Sequence, residues 1–211
     1  MLVRAGTSGV WCVMFLFSLF YGGATFYFLL FCLAVVSSFE WYEMTAGNRV
    51  LYLPAVLVIA LPYASMAYLY SLPHGMLILA WLIFSIWSID TSAYLLGKSF
   101  GNRKILPVIS PNKTWVGLWG SMAFSVISTL IMSVVFGIFF VPHSLLIGVV
   151  IAIVAQCGDF AESAIKRVCN VKDSGFAVPG HGGVMDRMDG FIFTAPLVAL
   201  YIKHFSKFFV S

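Results

Sequence analysis

The 211-residue chain is 61% hydrophobic and only 9% charged, with a mean hydropathy of +0.99. A soluble domain carries about 25% charged residues, so a water-coated globule is excluded and an integral membrane protein is indicated. The net charge of +4, from 12 Lys and Arg against 8 Asp and Glu, reads as positive residues gathered in cytoplasmic loops, not as a nucleic-acid footprint.

Apolar runs of about 20 residues, the length that crosses a bilayer core, recur along the chain and predict about seven transmembrane helices. The first extends from near Gly6 to Tyr21 and turns at Gly22-Gly23, and the second ends near Tyr42. The third covers Leu51 to Tyr70, the fourth Gly75 to Leu96, and the fifth Val116 to Phe140. The sixth runs from Ser144 to Val168 and the seventh from Gly190 to about Phe205. Arg4 and the apolar run from Val10 imitate a signal peptide, but no A-x-A site follows, so a retained first helix is expected. The fold class is therefore all-α and polytopic, one membrane domain with no separate soluble unit. Cys12, Cys32, Cys157 and Cys169 form no C-x-x-C pair and are expected as buried small hydrophobes.

Lys and Arg placement sets the topology. Arg4, Arg49, Lys98, Arg103, Lys104, Lys113, Lys166, Arg167, Lys172 and Arg187 all fall on one side if the N-terminus is cytoplasmic, and only Lys203 and Lys207 disagree. Both polar loops, after the fourth and sixth spans, then share the cytoplasmic face.

Three segments carry candidate chemistry. At the end of the sixth span, "GDFAESAIKR", Asp159, Ser163 and Lys166 stand at i, i+4 and i+7 on one helix face beside Glu162. A carboxylate within a span costs roughly 2.5–3.5 kcal/mol and normally faces a partner or water. A simple structural pair with Lys166 is the alternative, but this face offers more than a pair needs. Next, "KDSGFAVPGHGGVMDRMDG" supplies a glycine-rich turn whose backbone N–H groups can approach an anion. Asp186 and Asp189 follow at i and i+3, and with Asp159 they form an all-oxygen set suited to Mg²⁺. Divalent metal beside a glycine loop and several cations is what a nucleoside triphosphate requires, although a glycine turn alone is usually only a turn and no Walker motif is present. His181 in that loop is open to three readings: phosphate donor, general acid or turn residue. The third segment, Asp90 to Gly117, holds Asp90 and Tyr94 on one face, then Lys98, Arg103, Lys104 and Lys113, with Ser110 and Thr114 hydroxyls around a Pro-containing turn. An ordinary positive-inside loop competes with a phosphate-binding role here, and the intramembrane Asp90 favours the latter.

Together these residues resemble the CDP-diacylglycerol synthase (phosphatidate cytidylyltransferase) family. Its signature S-x-x-K-R-x₄-K-D-x₅-P-G-H-G-G-x-x-D-R-x-D appears with every spacing kept. Its positions are Ser163, Lys166-Arg167, Lys172-Asp173, Pro179-Gly180-His181-Gly182-Gly183, Asp186-Arg187 and Asp189. "DTSAYLLGKSFG" and "ISPNKTWVG" are similar to two further family motifs. The likeness covers about Ser88 to Gly190, with Val116 in place of the family's Glu and Lys98 in place of its Arg. The chain is also shorter in its N-terminal half. It divides into N-terminal transmembrane helices over 1–87 and a catalytic transmembrane region over 88–211.

The resemblance implies a polytopic helical fold with a polar cavity open to cytoplasm and bilayer, in the cell membrane. It implies transfer of CMP from CTP to phosphatidate, giving CDP-diacylglycerol and pyrophosphate. It also implies a two-cation centre of Mg²⁺, with K⁺ the candidate for the second ion, at Asp159, Asp186 and Asp189. Lys166 and His181 join these three as catalytic candidates. Substrate contacts are expected from Asp90, Tyr94, Lys98, Ser110, Lys113, Thr114, Ser163, Arg167, Lys172, Asp173, Gly180, Gly182, Gly183 and Arg187. The partners are CTP, phosphatidate and the bilayer, with no nucleic acid, and a homodimer is an expectation of the same kind. CTP-dependent polyprenol kinases share the oily architecture but not the signature through Asp189. The D-G-x-x-A-R motif of CDP-alcohol phosphotransferases is absent, and a transporter would not need the long glycine-rich loop.

Overall fold

A computed structural model describes residues 2–46, 48–137, 139–178 and 182–205, and side chains throughout these except those of 2–9, 11 and 49. Helix α1 (Leu2–Tyr21) and α2 (Ala24–Met44) are separated by Gly22 and Gly23, both at positive φ, a conformation that side chains with a Cβ seldom adopt. The expected break is therefore real. The third span is one apolar rod in three pieces: α3 (Tyr52–Ala55), a π-helical turn (Val56–Ala60) and α4 (Leu61–Ser71). Pro62 has no N–H to complete the regular ladder, and the turn before it widens. Helix α5 (Gly75–Phe100) runs past the expected end at Leu96. Then follow α6 (Trp115–Phe136), α7 (Val141–Val168), the single turn α8 (Met185–Met188) and α9 (Phe191–Phe205). Among the described residues five helices are long and apolar enough to cross a membrane, and Cys12–Tyr21 and Phe191–Phe205 are shorter apolar helices. The expected seven thus resolve into five long members and two short ones.

Packing at the centre is by small and hydroxylated residues. Gly117, Ser121, Ser125, Thr129 and Ser133 recur every fourth residue of α6 and are buried, which brings helix backbones close in a medium that offers no hydrophobic drive between them. Hydroxyls join across the seams: Ser85 with Ser128 at 2.7 Å, Ser133 with Ser144 at 2.6 Å, and Trp81 Nε1 donating to Thr129 Oγ1 at 3.2 Å. The apolar core lies along α5, where Trp81, Leu82, Ile83, Ile86 and Ile89 are almost fully enclosed.

The structure departs from expectation in three places. The expected Pro-containing turn, over 107–109, is the tip of a hairpin whose strands the sequence did not announce. Strands β1 (Lys104–Leu106) and β2 (Ser110–Thr114) pair antiparallel, Lys104 opposite Thr114 and Leu106 opposite Ser110. This polar run cannot extend the helix into lipid, and pairing satisfies its backbone instead. The sixth span begins at Val141, earlier than Ser144, and the fifth ends at Phe136, short of Phe140. The cysteines are not buried: Cys157 is exposed, and Cys12, Cys32 and Cys169 are intermediate. On a membrane helix an outward face meets lipid, so a small apolar side chain gains nothing by turning inward.

Candidate active site

One cavity of about 390 Å³ gathers the polar segments. Its wall takes Asp90 and Tyr94 from α5, Ser110, Lys113 and Thr114 from β2, Gln156 and Asp159 from α7, and Asp186, Arg187 and Asp189 from the α8 region. Residues separated by up to a hundred positions in sequence therefore face one space, and the two polar loops lie at the same end of the bundle. Thr114 caps α6 by accepting a hydrogen bond from Gly117 N at 3.2 Å, so the hairpin's last residue also fixes where the next helix begins. Gly158 sets the opposite wall. A Cβ there would lie 2.5 Å from the Asp189 carbonyl oxygen, so only glycine lets the chain carrying Asp189 approach α7 beside Asp159.

The carboxylates are held differently. Asp159 forms an ion pair with Lys113, accepts from Ser163 Oγ at 3.3 Å, and remains about a quarter exposed (26%). Lys113 also donates to Gln156 Oε1 at 2.8 Å and lies 4.6 Å from the Phe160 ring centroid. Asp186 is strapped on both oxygens: Lys166 Nζ reaches Oδ1 at 2.6 Å, and the Ser174 and Gly183 N–H groups reach Oδ2 at 2.9 and 2.8 Å. Burial alone would raise its pKa, but the Lys166 hydrogen bond, the two amides and the Lys166 charge together hold it below the usual carboxylate range. Asp189 is the contrary case. Burial, then the charges of Asp159, Glu162 and Asp90, push its carboxyl well above that range, against one N–H from Gly190 at 2.7 Å.

That crowding is a test of the implied metal. Asp90, Asp159, Asp186 and Asp189 bring four carboxyl groups to a cavity that Lys113 and Arg187 also line, and hard oxygen donors of this kind suit Mg²⁺. Asp186 uses three of its roughly four acceptor sites, leaving one on Oδ1. The fit is one of donor chemistry and charge. Among the described residues, no group of three His, Cys, Asp or Glu is drawn together closely enough to hold an ion.

The remaining candidates are distributed around this cavity. Lys166 is buried behind it, between Asp186 and Glu162, whose Oε1 is 3.2 Å from Nζ. Lys98 is exposed, 5.6 Å from the Tyr94 ring centroid. Exposed Arg167 donates to the carbonyls of Ile109 and Val171 at 3.4 and 3.1 Å, tying the hairpin to the end of α7. Lys172 and Asp173 are exposed beside the glycine loop. Gly182 adopts φ +86° and its carbonyl accepts from Val178 N, while Gly183 is buried. Pro179, Gly180 and His181 lie outside the described residues, so the candidate roles of Gly180 and His181 rest on the sequence.

Two polar contributors escaped sequence reasoning. Gln156 stands at i−3 from Asp159 and steers Lys113, a spacing that marked it as sharing the carboxylate's face. Glu40, near the end of α2, is buried and accepts from Val184 N at 2.8 Å, Met185 N at 3.0 Å and Ser174 Oγ at 3.3 Å. Its signal was plain: an acidic residue inside an apolar span requires a partner.

An all-helical membrane bundle with this carboxylate- and lysine-lined cavity has the chemistry of an enzyme acting on phosphates. Comparison with known proteins agrees. The cytidylyltransferase family model matches residues 46–205. The chain is 34% identical to the phosphatidate cytidylyltransferase of Rickettsia bellii over 187 residues, 82% of this chain and 78% of the relative. It is 33% identical to that of Rickettsia typhi over 191 residues, 87% and 84% of the two chains. The Bacillus subtilis phosphatidate cytidylyltransferase is 40% identical over 135 residues, 63% of this chain and half of its own. The chain belongs to the cytidylyltransferase family.

Proposed function

We propose that the chain is a phosphatidate cytidylyltransferase, transferring CMP from CTP to phosphatidate with release of pyrophosphate. The observation that carries this reading is the convergence of both signature segments on one cavity, with Asp90, Asp159, Asp186 and Asp189 facing Lys113 and Arg187. A phosphatidate oxygen attacks the α-phosphorus of CTP. The new P–O bond forms as the bond to the β-phosphoryl oxygen breaks, and pyrophosphate departs. Two polyanions must meet for this, so their repulsion is the principal obstacle.

We propose that Asp159, Asp186 and Asp189 would hold Mg²⁺, with K⁺ as the candidate second cation. Held there, a divalent ion would offset phosphate charge and assist the departure of pyrophosphate. The chain's own cations do related work: Lys113 and Arg187 face the cavity, and Ser110 and Tyr94 offer hydroxyls for orientation. Lys166 acts through Asp186, fixing the carboxylate's position and keeping it ionised.

The active-site end is assigned to the cytoplasm of the cell membrane, on the charge bias and because CTP is there. Phe176, 93% exposed beside the glycine loop, is the position to test it: Phe176→Cys should react with an impermeant thiol reagent only from the cytoplasmic side. The activity is tested with purified protein, phosphatidate and CTP labelled on either the α- or the γ-phosphorus. Label from the α position should enter lipid. Lipid carrying the γ label instead would make the chain a kinase.

A further inference from the structure

We infer that Glu40 is a positioning residue, a carboxylate from the second span that holds the glycine loop and the turn carrying Asp186 and Asp189 in register. The inference deepens the catalytic reading above and rests on it for the activity arm of its test alone.

The geometry is specific. Glu40 lies far from this loop in sequence, on a helix with no residue in the cavity wall described above, yet the residue is only 4% exposed. Three donors from two stretches of the loop converge on it: the backbone N–H groups of Val184 and Met185 at 2.8 and 3.0 Å, and the Ser174 hydroxyl at 3.3 Å. The chain has closed around it. A Cβ at Gly175 would lie 2.7 Å from Glu40 Cγ, and one at Gly183 would lie 2.5 Å from Glu40 Oε2, so these glycines serve close approach to the carboxylate.

Asp186 performs the matching task from within the loop. It takes the N–H groups of Ser174 and Gly183, and Glu40 takes the next two amides and the Ser174 side chain. Five hydrogen bonds to two carboxylates therefore fasten residues 174 and 183–185 together. Glu40 is the link anchored outside the loop on the α2 side, as Lys166 is on the α7 side. These donors are directed at protein carboxylates, so this part of the loop is a rigid carrier and not itself the phosphate cradle. Charge-assisted hydrogen bonds to buried backbone amides are among the stronger contacts available, and losing an oxygen acceptor here leaves a buried N–H without a partner.

The test is Glu40→Gln, which keeps the volume and one amide acceptor but removes the second carboxylate oxygen. Two readouts are taken on detergent-purified, full-length protein. Hydrogen exchange of peptides covering 182–188 should accelerate about tenfold, with peptides from α5 and α6 unchanged. Turnover should fall by roughly tenfold or more, with the apparent KM for phosphatidate within about twofold of wild type, because the hairpin is untouched. Exchange at 182–188 matching wild type would overturn the strap, whatever the enzyme assay gives. Faster exchange throughout the bundle would reduce Glu40 to a general prop and equally overturn the proposal. Accelerated local exchange with unaltered turnover would refute positioning while leaving the strap. If no activity of any kind is found in wild type, the cytidylyltransferase reading fails and the exchange arm still decides the strap. Should Glu40→Gln not fold, Ser174→Ala removes the longest of the three contacts. It should raise exchange at 182–188 about threefold, and no change there would refute the strap.

Discussion

The hairpin after α5 and the glycine loop after α7 are both short, polar and basic, yet they are built oppositely. The hairpin satisfies its backbone by strand pairing and directs Ser110 and Lys113 into the cavity. The loop turns the N–H groups of Ser174, Gly183, Val184 and Met185 onto the protein's own Asp186 and Glu40. The first presents side chains to the cavity and the second carries carboxylates to it. A glycine-rich sequence beside aspartates thus need not cradle phosphate with its amides, because an internal carboxylate can claim the same donors.

Breaking the loop's internal network should have the largest effect. Lys166→Met leaves Glu162 and Asp186 buried without their cation, and breaking such a pair costs about 3–5 kcal/mol. A large fall in melting temperature in detergent, with loss of activity, is expected; an unchanged melt would mean the network is not holding the loop. Next come the carboxylates that face the cavity. Asp159→Asn and Asp189→Asn should each lower turnover about a hundredfold or more while the protein still inserts and melts normally. Near wild-type turnover in either would remove that residue from the centre.

The comparison itself is sharpened by the cations. Lys113→Ala should raise the apparent KM for phosphatidate more than that for CTP, and exposed Lys172→Ala the reverse. Each effect should be roughly ten- to a hundredfold, the scale of a charge-assisted hydrogen bond. Equal shifts in both constants for both variants would mean one shared anion pocket, a result the common cavity makes a serious alternative. The smallest effect is expected at Lys98, exposed and 5.6 Å from the Tyr94 ring centroid. Lys98→Ala should change either KM by no more than about fivefold, because an exposed cation–π contact contributes only about 0.5–1 kcal/mol.

Much of this was legible in the sequence because membrane helices are read by length and hydropathy, and because ionised residues in apolar spans are costly enough to be conspicuous. Asp90 and Asp159 were found that way, the Asp186–Asp189 pair by its i, i+3 spacing after the glycine-rich turn, and the Lys and Arg distribution placed both loops at one end. What escaped was pairing between distant residues. Nothing in "SPNKT" states that it will pair with "KIL", since strand pairing depends on its partner more than on propensity. Lys113 was legible as a basic residue near a membrane surface, but its partners Gln156 and Asp159 lie on a helix two elements away. Glu40 was visible as an intramembrane acid, while its partners are backbone amides, which no side-chain pattern reveals.

Metal-assisted transfer of CMP to phosphatidate in this cavity is the proposed activity. Its most direct test measures label entering lipid from α-labelled CTP, for wild type and Asp159→Asn at matched protein, with Mg²⁺ and with a chelator. Wild type should give Mg²⁺-dependent product, and the variant at least about a hundredfold less. Product undiminished by the chelator, or a variant equal to wild type, would contradict it.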